Sequence, residues 1–239
     1  MTLDGQRIVI LGGSSGIGLA TAQAAAKEDA SVVIASSRKP RLDEALATLP
    51  AGAEGYALDL TDEKAVKVLF AGLGPFDHLV FTAGETLQLG RLADTDIAAA
   101  RGFFGLGYWA PIWQPNTVAA AYDRAARSFS PRASRAIVPM PAGRSARASA
   151  RAMEGLTRAL AGELAPIRVN IISPGVVKSP LWANMTEADR DVLFRQTGEK
   201  LPVGHVGEVE EIAQAYLYLM QQTYGTGQVL RVDGGGTLV

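Results

Sequence analysis

Leu11-Gly12-Gly13-Ser14-Ser15-Gly16-Ile17-Gly18 is the stretch that decides how this chain reads. Before it, residues 6–11 form a β-branched apolar run that stops at Gly12-Gly13, the pattern of a buried strand. After it, residues 16–27 are alanine-rich, with apolar side chains at helical spacing. Glycines at such a junction let the chain turn tightly and let a pyrophosphate approach the backbone. The helix N-terminus then offers free N–H groups and a partial positive charge. A glycine-rich loop alone is a weak signal, and it can be an ordinary turn. Set between a strand and a helix at the start of the chain, it reads as a phosphate loop.

The alternation continues outward from this loop. Residues 31–35 read as a strand and 41–49 as a helix; 55–58 and 62–71 repeat the pair, and 77–81 make a fourth strand. Later come a helix over 152–164, a strand over 168–172, a helix over Val209–Gln221 and a last strand over 228–232. Strands alternating with helices at this spacing imply βαβ units and a parallel sheet. The expected fold is α/β: a doubly wound parallel sheet in three layers, αβα, of the Rossmann type. Residues 1–239 form one domain, with no stretch that reads as a linker.

Composition narrows the function classes. Hydrophobic residues make up 48% of the 239 and charged residues 20%, enough for a full-sized core. A net charge of -1 gives no reason to expect nucleic acid or an anionic membrane as partner. The absence of cysteine excludes disulfides and thiolate metal sites. The N-terminus lacks the basic region and apolar length of a signal peptide, and no apolar run spans a bilayer. The expectation is a cytoplasmic protein with a small-molecule substrate. His78 falls in a strand and His205 in a loop, neither with a ligand set around it, so no metal site is expected.

The loop has the spacing T-G-x-x-x-G-x-G of the short-chain dehydrogenase/reductase family, which the chain resembles over residues 1–109 and 152–239. Gly12, Gly16 and Gly18 match its glycines, and Leu11 stands in place of its threonine, removing one side-chain hydrogen bond. Asp59, followed by Leu60, matches the aspartate that contacts the adenine. Phe81-Thr82-Ala83-Gly84 matches a degraded N-N-A-G that keeps Ala83 and Gly84. Arg168-Val169-Asn170 leads into Ser173-Pro174-Gly175, as in the family's sixth strand. Val177 and Ser179 match positions that hold the nicotinamide carboxamide, and Val232-Asp233-Gly234-Gly235 matches the final strand and tail. The resemblance thus implies a cofactor site from Gly12, Ser14, Ser15, Gly16, Ile17, Gly18, Asp59, Leu60, Ala83, Gly84, Pro174, Gly175, Val177 and Ser179.

The choice of dinucleotide turns on the end of the second strand. An acidic residue there binds a ribose 2′-OH and favours NAD. This chain has Ser36-Ser37-Arg38-Lys39. Serine hydroxyls and a guanidinium suit a 2′-phosphate. Ser37 and Arg38 therefore point to NADP, with NAD the lesser alternative; Arg38 and Lys39 as a merely solvated turn is the competing reading.

The chemistry of hydride transfer needs an acid for the nascent alkoxide. The family uses a tyrosine, with a lysine four residues later on the same helix face and a serine assisting. Counting back from Ala152-Met153-Glu154-Gly155-Leu156, the tyrosine position is Ala146, the lysine position Ala150 and the serine position about Ala133, with Ser134 next to it. The family's asparagine falls near Gly107. No Tyr-x-x-x-Lys occurs anywhere, and no lysine lies between Lys67 and Lys178. Tyr108 and Tyr122 have no lysine partner and read as packing residues. The catalytic residues stay unassigned.

Residues 110–151 are odd in composition: seven arginines, five prolines and twelve alanines, with no lysine or glutamate. The strand candidate over 135–140 contains Pro139 and precedes Pro141, so a central strand there is poorly supported. Reading each back-translated codon one base out, from Trp109 on, can give W-G-A-Y-L-A-A-K-Y. Phe129 to Met140 can give L-T-S-G-I-A-S-H-R-P-N. These strings look like the family's own sequence. The expectation is a frame shift entering near Trp109 and reversed near Ala152. The restored frame has about G-A-S-I-C across the catalytic motif, a serine regained but no tyrosine–lysine pair.

Two functions follow: an NADP-dependent oxidoreductase acting on a small carbonyl or alcohol, and a catalytically silent dinucleotide-binding protein. A non-redox reaction on the same scaffold is a third. Residues 178–198 occupy the place of the family's substrate lid, where Trp182, Met185 and Leu193 line an apolar pocket or serve as core contacts. The resemblance also implies a homodimer or homotetramer, with residues 228–232 as one contact.

Overall fold

The computed structural model describes residues 2–84, 134–137 and 144–239, with the backbone alone at 134–137 and 144–150. The chain runs β1 (Arg7–Leu11), α1 (Gly16–Ala26), β2 (Ser31–Ser36), α2 (Lys39–Leu46), β3 (Glu54–Ala57), α3 (Glu63–Gly72) and β4 (His78–Phe81). Then follow β5 (Ser134–Ile137), α4 (Arg144–Glu163), β6 (Arg168–Pro174), a 3-10 turn (Pro180–Trp182), α5 (Glu187–Gly198), α6 (Val209–Gln221) and β7 (Val229–Val232). The sheet has seven strands in the order β3-β2-β1-β4-β5-β6-β7. Every neighbouring pair is parallel. This is the doubly wound fold expected.

Period-two alternation splits β1 between two cores. Ile8 and Ile10 face the core built with α1, α2 and α6, where Ala22, Leu42 and Tyr216 are buried. Val9 and Leu11 face the other core, built with α3 through Val66, Leu69 and Phe70. Both faces being covered, the strand is apolar from Ile8 to Leu11 rather than alternating.

Two expectations are corrected. A strand does form in the proline-bearing stretch, with Ser134 to Ile137 pairing β4 on one side and β6 on the other. It is four residues long, Ser134–Ile137, and Pro139 lies outside the described residues. The helix expected from Ala152 also begins earlier, at Arg144. Its added turns, Arg-Ser-Ala-Arg-Ala-Ser-Ala, are rich in strong helix formers.

Arg168, at the start of β6, is buried and satisfies the end of α6. Its Nη1 donates to Leu219 O at 3.0 Å and Gly225 O at 3.2 Å, and Nη2 donates to Met220 O at 3.3 Å. A cation here meets the negative end of the helix. No described helix is long and apolar enough to cross a membrane.

Candidate cofactor site

Strand order reverses between β1 and β4, because the chain winds outward to β3 and returns on the other side of β1. A crevice opens at the carboxyl ends of the strands beside such a switch. Here a cleft of about 660 Å³ lies there. It runs from the phosphate loop past the end of β2 and reaches Pro174, Val177 and Ser179 beyond β6.

The cleft floor demands glycine. Gly12 has φ +95°, and a methyl group there would lie 2.7 Å from Ala83 Cα. A methyl at Gly18 would run into Gly12 O and Thr82 Oγ1. The loop therefore presents bare backbone to the cleft. Gly13 differs: its absent side chain leaves room for Ile34 of β2, so it serves packing.

Electrostatics favour an anion at the same place. Ser15 is the N-cap of α1 but makes no side-chain cap bond, and α1 has no acidic residue in its first turn. The same holds for α2, whose N-cap is Arg38. By contrast, Asp62 caps α3, Thr186 caps α5 and Glu208 with Glu211 boxes α6. Among the helices whose N-caps are described, the two that open onto the cleft thus keep their free first-turn N–H groups and partial positive charge available.

All candidate residues except Gly175 line this cleft. Gly175 instead packs on the end of β7, where a methyl would lie 2.8 Å from Asp233 Cα. Asp59 is held by Thr61, whose N and Oγ1 donate to Asp59 Oδ1 at 2.8 and 2.7 Å. Arg41, Pro180, Leu181 and Asn184 also line the cleft and escaped the reading of the sequence, and so do Ser36 and Thr82, which stood in quoted motifs without being counted as site residues. Arg41 stood three residues beyond Arg38 and was a usable signal. Ser36 and Thr82 were not, because their roles rest on distant partners. Ser14 Oγ donates to Ser36 Oγ at 2.7 Å. Thr82 Oγ1 donates to Leu11 O at 3.2 Å, so the strand end that lacks a threonine receives a hydroxyl from β4's side.

The lid question resolves in favour of packing. Trp182 is 3% exposed and surrounded by Val176, Leu181, Met185, Leu193 and Phe194. Its Nε1 donates to Val177 O at 2.9 Å, and its ring meets Phe194 edge-on at 6.2 Å. Trp182, Met185 and Leu193 do not line the cleft. The start of this segment is clasped: Lys178 N donates to Gly207 O and Gly207 N to Val176 O, both at 2.9 Å, and Lys178 pairs with Glu208 at 2.5 Å. His205 is exposed beside it, its hydrogen bond to Glu211 holding its pKa above the ordinary histidine value.

The catalytic positions stand partly in view. Ala146 and Ala150 lie four apart in the first half of α4, so the helical platform of the family's pair is present without the pair. Ser134 opens β5, in register with His78, at the strand end opposite the cleft. Gly107, Tyr108, Tyr122 and Ala133 lie outside the described residues, as does most of the stretch assigned to a frame shift.

A family model described as enoyl-(acyl carrier protein) reductase matches residues 12–237. The short-chain dehydrogenase/reductase ATR9 of Stachybotrys chlorohalonatus is 37% identical over 252 residues, covering 99% of each chain. The crystal structure of a small-chain dehydrogenase in complex with NADPH is 35% identical with a TM-score of 0.80, covering 99% of this chain and 100% of that one. The MalC reductase/Diels-Alderase of Malbranchea aurantiaca is 28% identical with a TM-score of 0.87, covering 99% of this chain and 97% of that one. A glycine-floored cleft at the switch point of this sheet and these full-length likenesses lead to one conclusion: the chain belongs to the short-chain dehydrogenase/reductase family of oxidoreductases.

Proposed function

We propose that this protein is an NADP-dependent oxidoreductase acting on a small carbonyl or alcohol, built as one domain with a lid over residues 178–198. The observation that carries the reading is Arg38, with Ser37, in the cleft at the end of β2, where a carboxylate would favour NAD. A similar protein binds NADPH. The phosphate loop, from Gly12 through Ser14, Ser15, Gly16 and Ile17 to Gly18, takes the pyrophosphate on bare backbone and the open end of α1. Asp59 and Leu60 border the adenine, Ala83 and Gly84 line the cleft after β4, and Pro174, Val177 and Ser179 border the nicotinamide. When bound, the nicotinamide supplies or accepts the hydride.

The protein's own part is to bind and orient. Alanine at 146 and 150 moves no proton, so the acid of the reaction is another side chain or water. The reading further includes a homodimer or homotetramer using β7, whose outer edge has no partner strand among the described residues.

Titration with NADPH and with NADH, followed by nicotinamide fluorescence, tests the proposal. Tight NADPH binding with weak NADH binding supports it, and turnover in a screen of small carbonyls and alcohols separates the enzyme from a silent binder. Binding of neither nucleotide would leave the family relationship as ancestry alone.

A further inference from the structure

We infer that Arg41, and not Lys39, is the second determinant of NADP preference, closing a two-arginine clamp with Arg38 on the 2′-phosphate. This rests on the NADP reading above. Arg41 lines the cleft together with Ser36, Ser37 and Arg38, whereas Lys39 does not. Arg38 is the extended N-cap of α2 and Arg41 stands in its first turn, and both line the same cleft.

Pairing separates the three cations of this turn. Lys39 Nζ is engaged by Asp43, at 2.8 and 3.0 Å from its two carboxylate oxygens. Arg38 and Arg41 have no ion pair among the described residues, although both are exposed. Two guanidinium groups without an ion pair among the described residues line one cleft and concentrate positive charge there.

The backbone does only part of this work. Pro40 has no N–H, so the first turn of α2 offers one donor fewer than an ordinary helix N-terminus. Recognition of an anion at this point draws on side chains as well. A phosphate monoester carries between one and two negative charges at neutral pH, and its three terminal oxygens outnumber what one guanidinium fork engages. A second arginine supplies both the missing charge and the missing donors.

The test compares the wild type with Arg41→Ala, Arg41→Lys, Arg38→Ala and Lys39→Ala, titrated with NADPH and NADH by nicotinamide fluorescence. Arg41→Ala should weaken NADPH binding about tenfold or more while leaving NADH binding unchanged. Arg41→Lys should recover only part of the loss, and Lys39→Ala should alter neither nucleotide. Adenosine 2′-phosphate should compete with NADPH on the wild type and lose that ability on Arg41→Ala. A wild-type NADPH preference that survives Arg41→Ala intact overturns the clamp and leaves the NADP reading standing on Arg38. A wild type that binds both nucleotides equally overturns the NADP reading, and the clamp with it.

Discussion

Ser14 of the phosphate loop and Ser36 at the end of β2 share a buried hydrogen bond, Ser14 Oγ donating to Ser36 Oγ at 2.7 Å. The bond ties the glycine-rich end of the cleft to the end that carries Arg38, whose own N–H reaches Ser36 Oγ at 3.4 Å. Ser36→Ala strands the Ser14 hydroxyl in a buried place, at a cost of about 1–2 kcal/mol in urea unfolding. The double variant Ser14→Ala/Ser36→Ala should cost no more than the single one, because neither partner is then left unmet. Additive losses would show that the two serines act separately.

His78 sets a pH dependence. Burial, and then the nearby charge of Arg168, lower its pKa from 6.5 to about 3. Its Nε2 faces Gln6 Oε1, an acceptor, which fits the neutral ring with the proton on Nε2. The folded pKa lies below the unfolded one, so this contribution is complete above pH 6.5. It is lost as pH falls toward 3, because only the unfolded chain takes up the proton. The slope is roughly 1.4 kcal/mol per pH unit between those limits. Urea midpoints measured from pH 7 to pH 4 on the wild type and on His78→Gln check it. The variant should lose most of this slope, and equal slopes would refute the assignment.

Tyr216 of α6 is 0% exposed, and its hydroxyl has no hydrogen-bond partner among the described residues. Tyr216→Phe keeps the ring that packs between α6, α1 and the sheet and removes the unmet polar atom. Stability should rise by about 1 kcal/mol. A fall of that size in thermal or urea unfolding would mean that the hydroxyl has a partner after all.

The composition of residues 110–151 makes a prediction at the level of DNA. Codons read one base out from Trp109 should give W-G-A-Y-L-A-A-K-Y, and those under Phe129 to Met140 should give L-T-S-G-I-A-S-H-R-P-N. Sequencing the source gene decides it. Third bases incompatible with these strings remove the frame shift and leave the arginine-rich stretch as the protein's own.

Much of the fold was legible because its signals are local. The run before Gly12, the alanine-rich helix after Gly18 and the serine-arginine turn after β2 are contiguous, and period and turn chemistry act over a few residues. The N-cap of α3 at Asp62 belongs to the same kind of signal. The strand at Ser134–Ile137 was not legible. Four residues beside prolines carry little period, and only the slot between β4 and β6 makes them a strand.

The amino-acid sequence alone determined the class of fold, the phosphate loop, the absence of a carboxylate after β2 and the lack of a tyrosine–lysine pair. Tertiary structure decided the rest. Gly175 serves packing against Asp233, Trp182 is buried among its neighbours rather than lining the cleft, and Thr82 supplies the hydroxyl at Leu11. Ser36 likewise matters through Ser14, and Arg41 through its place beside Arg38 while Asp43 occupies Lys39. The reason is physical. A residue type and its neighbours in the chain set local conformation, but which polar atom is met and which surface is covered depend on elements brought together only by folding.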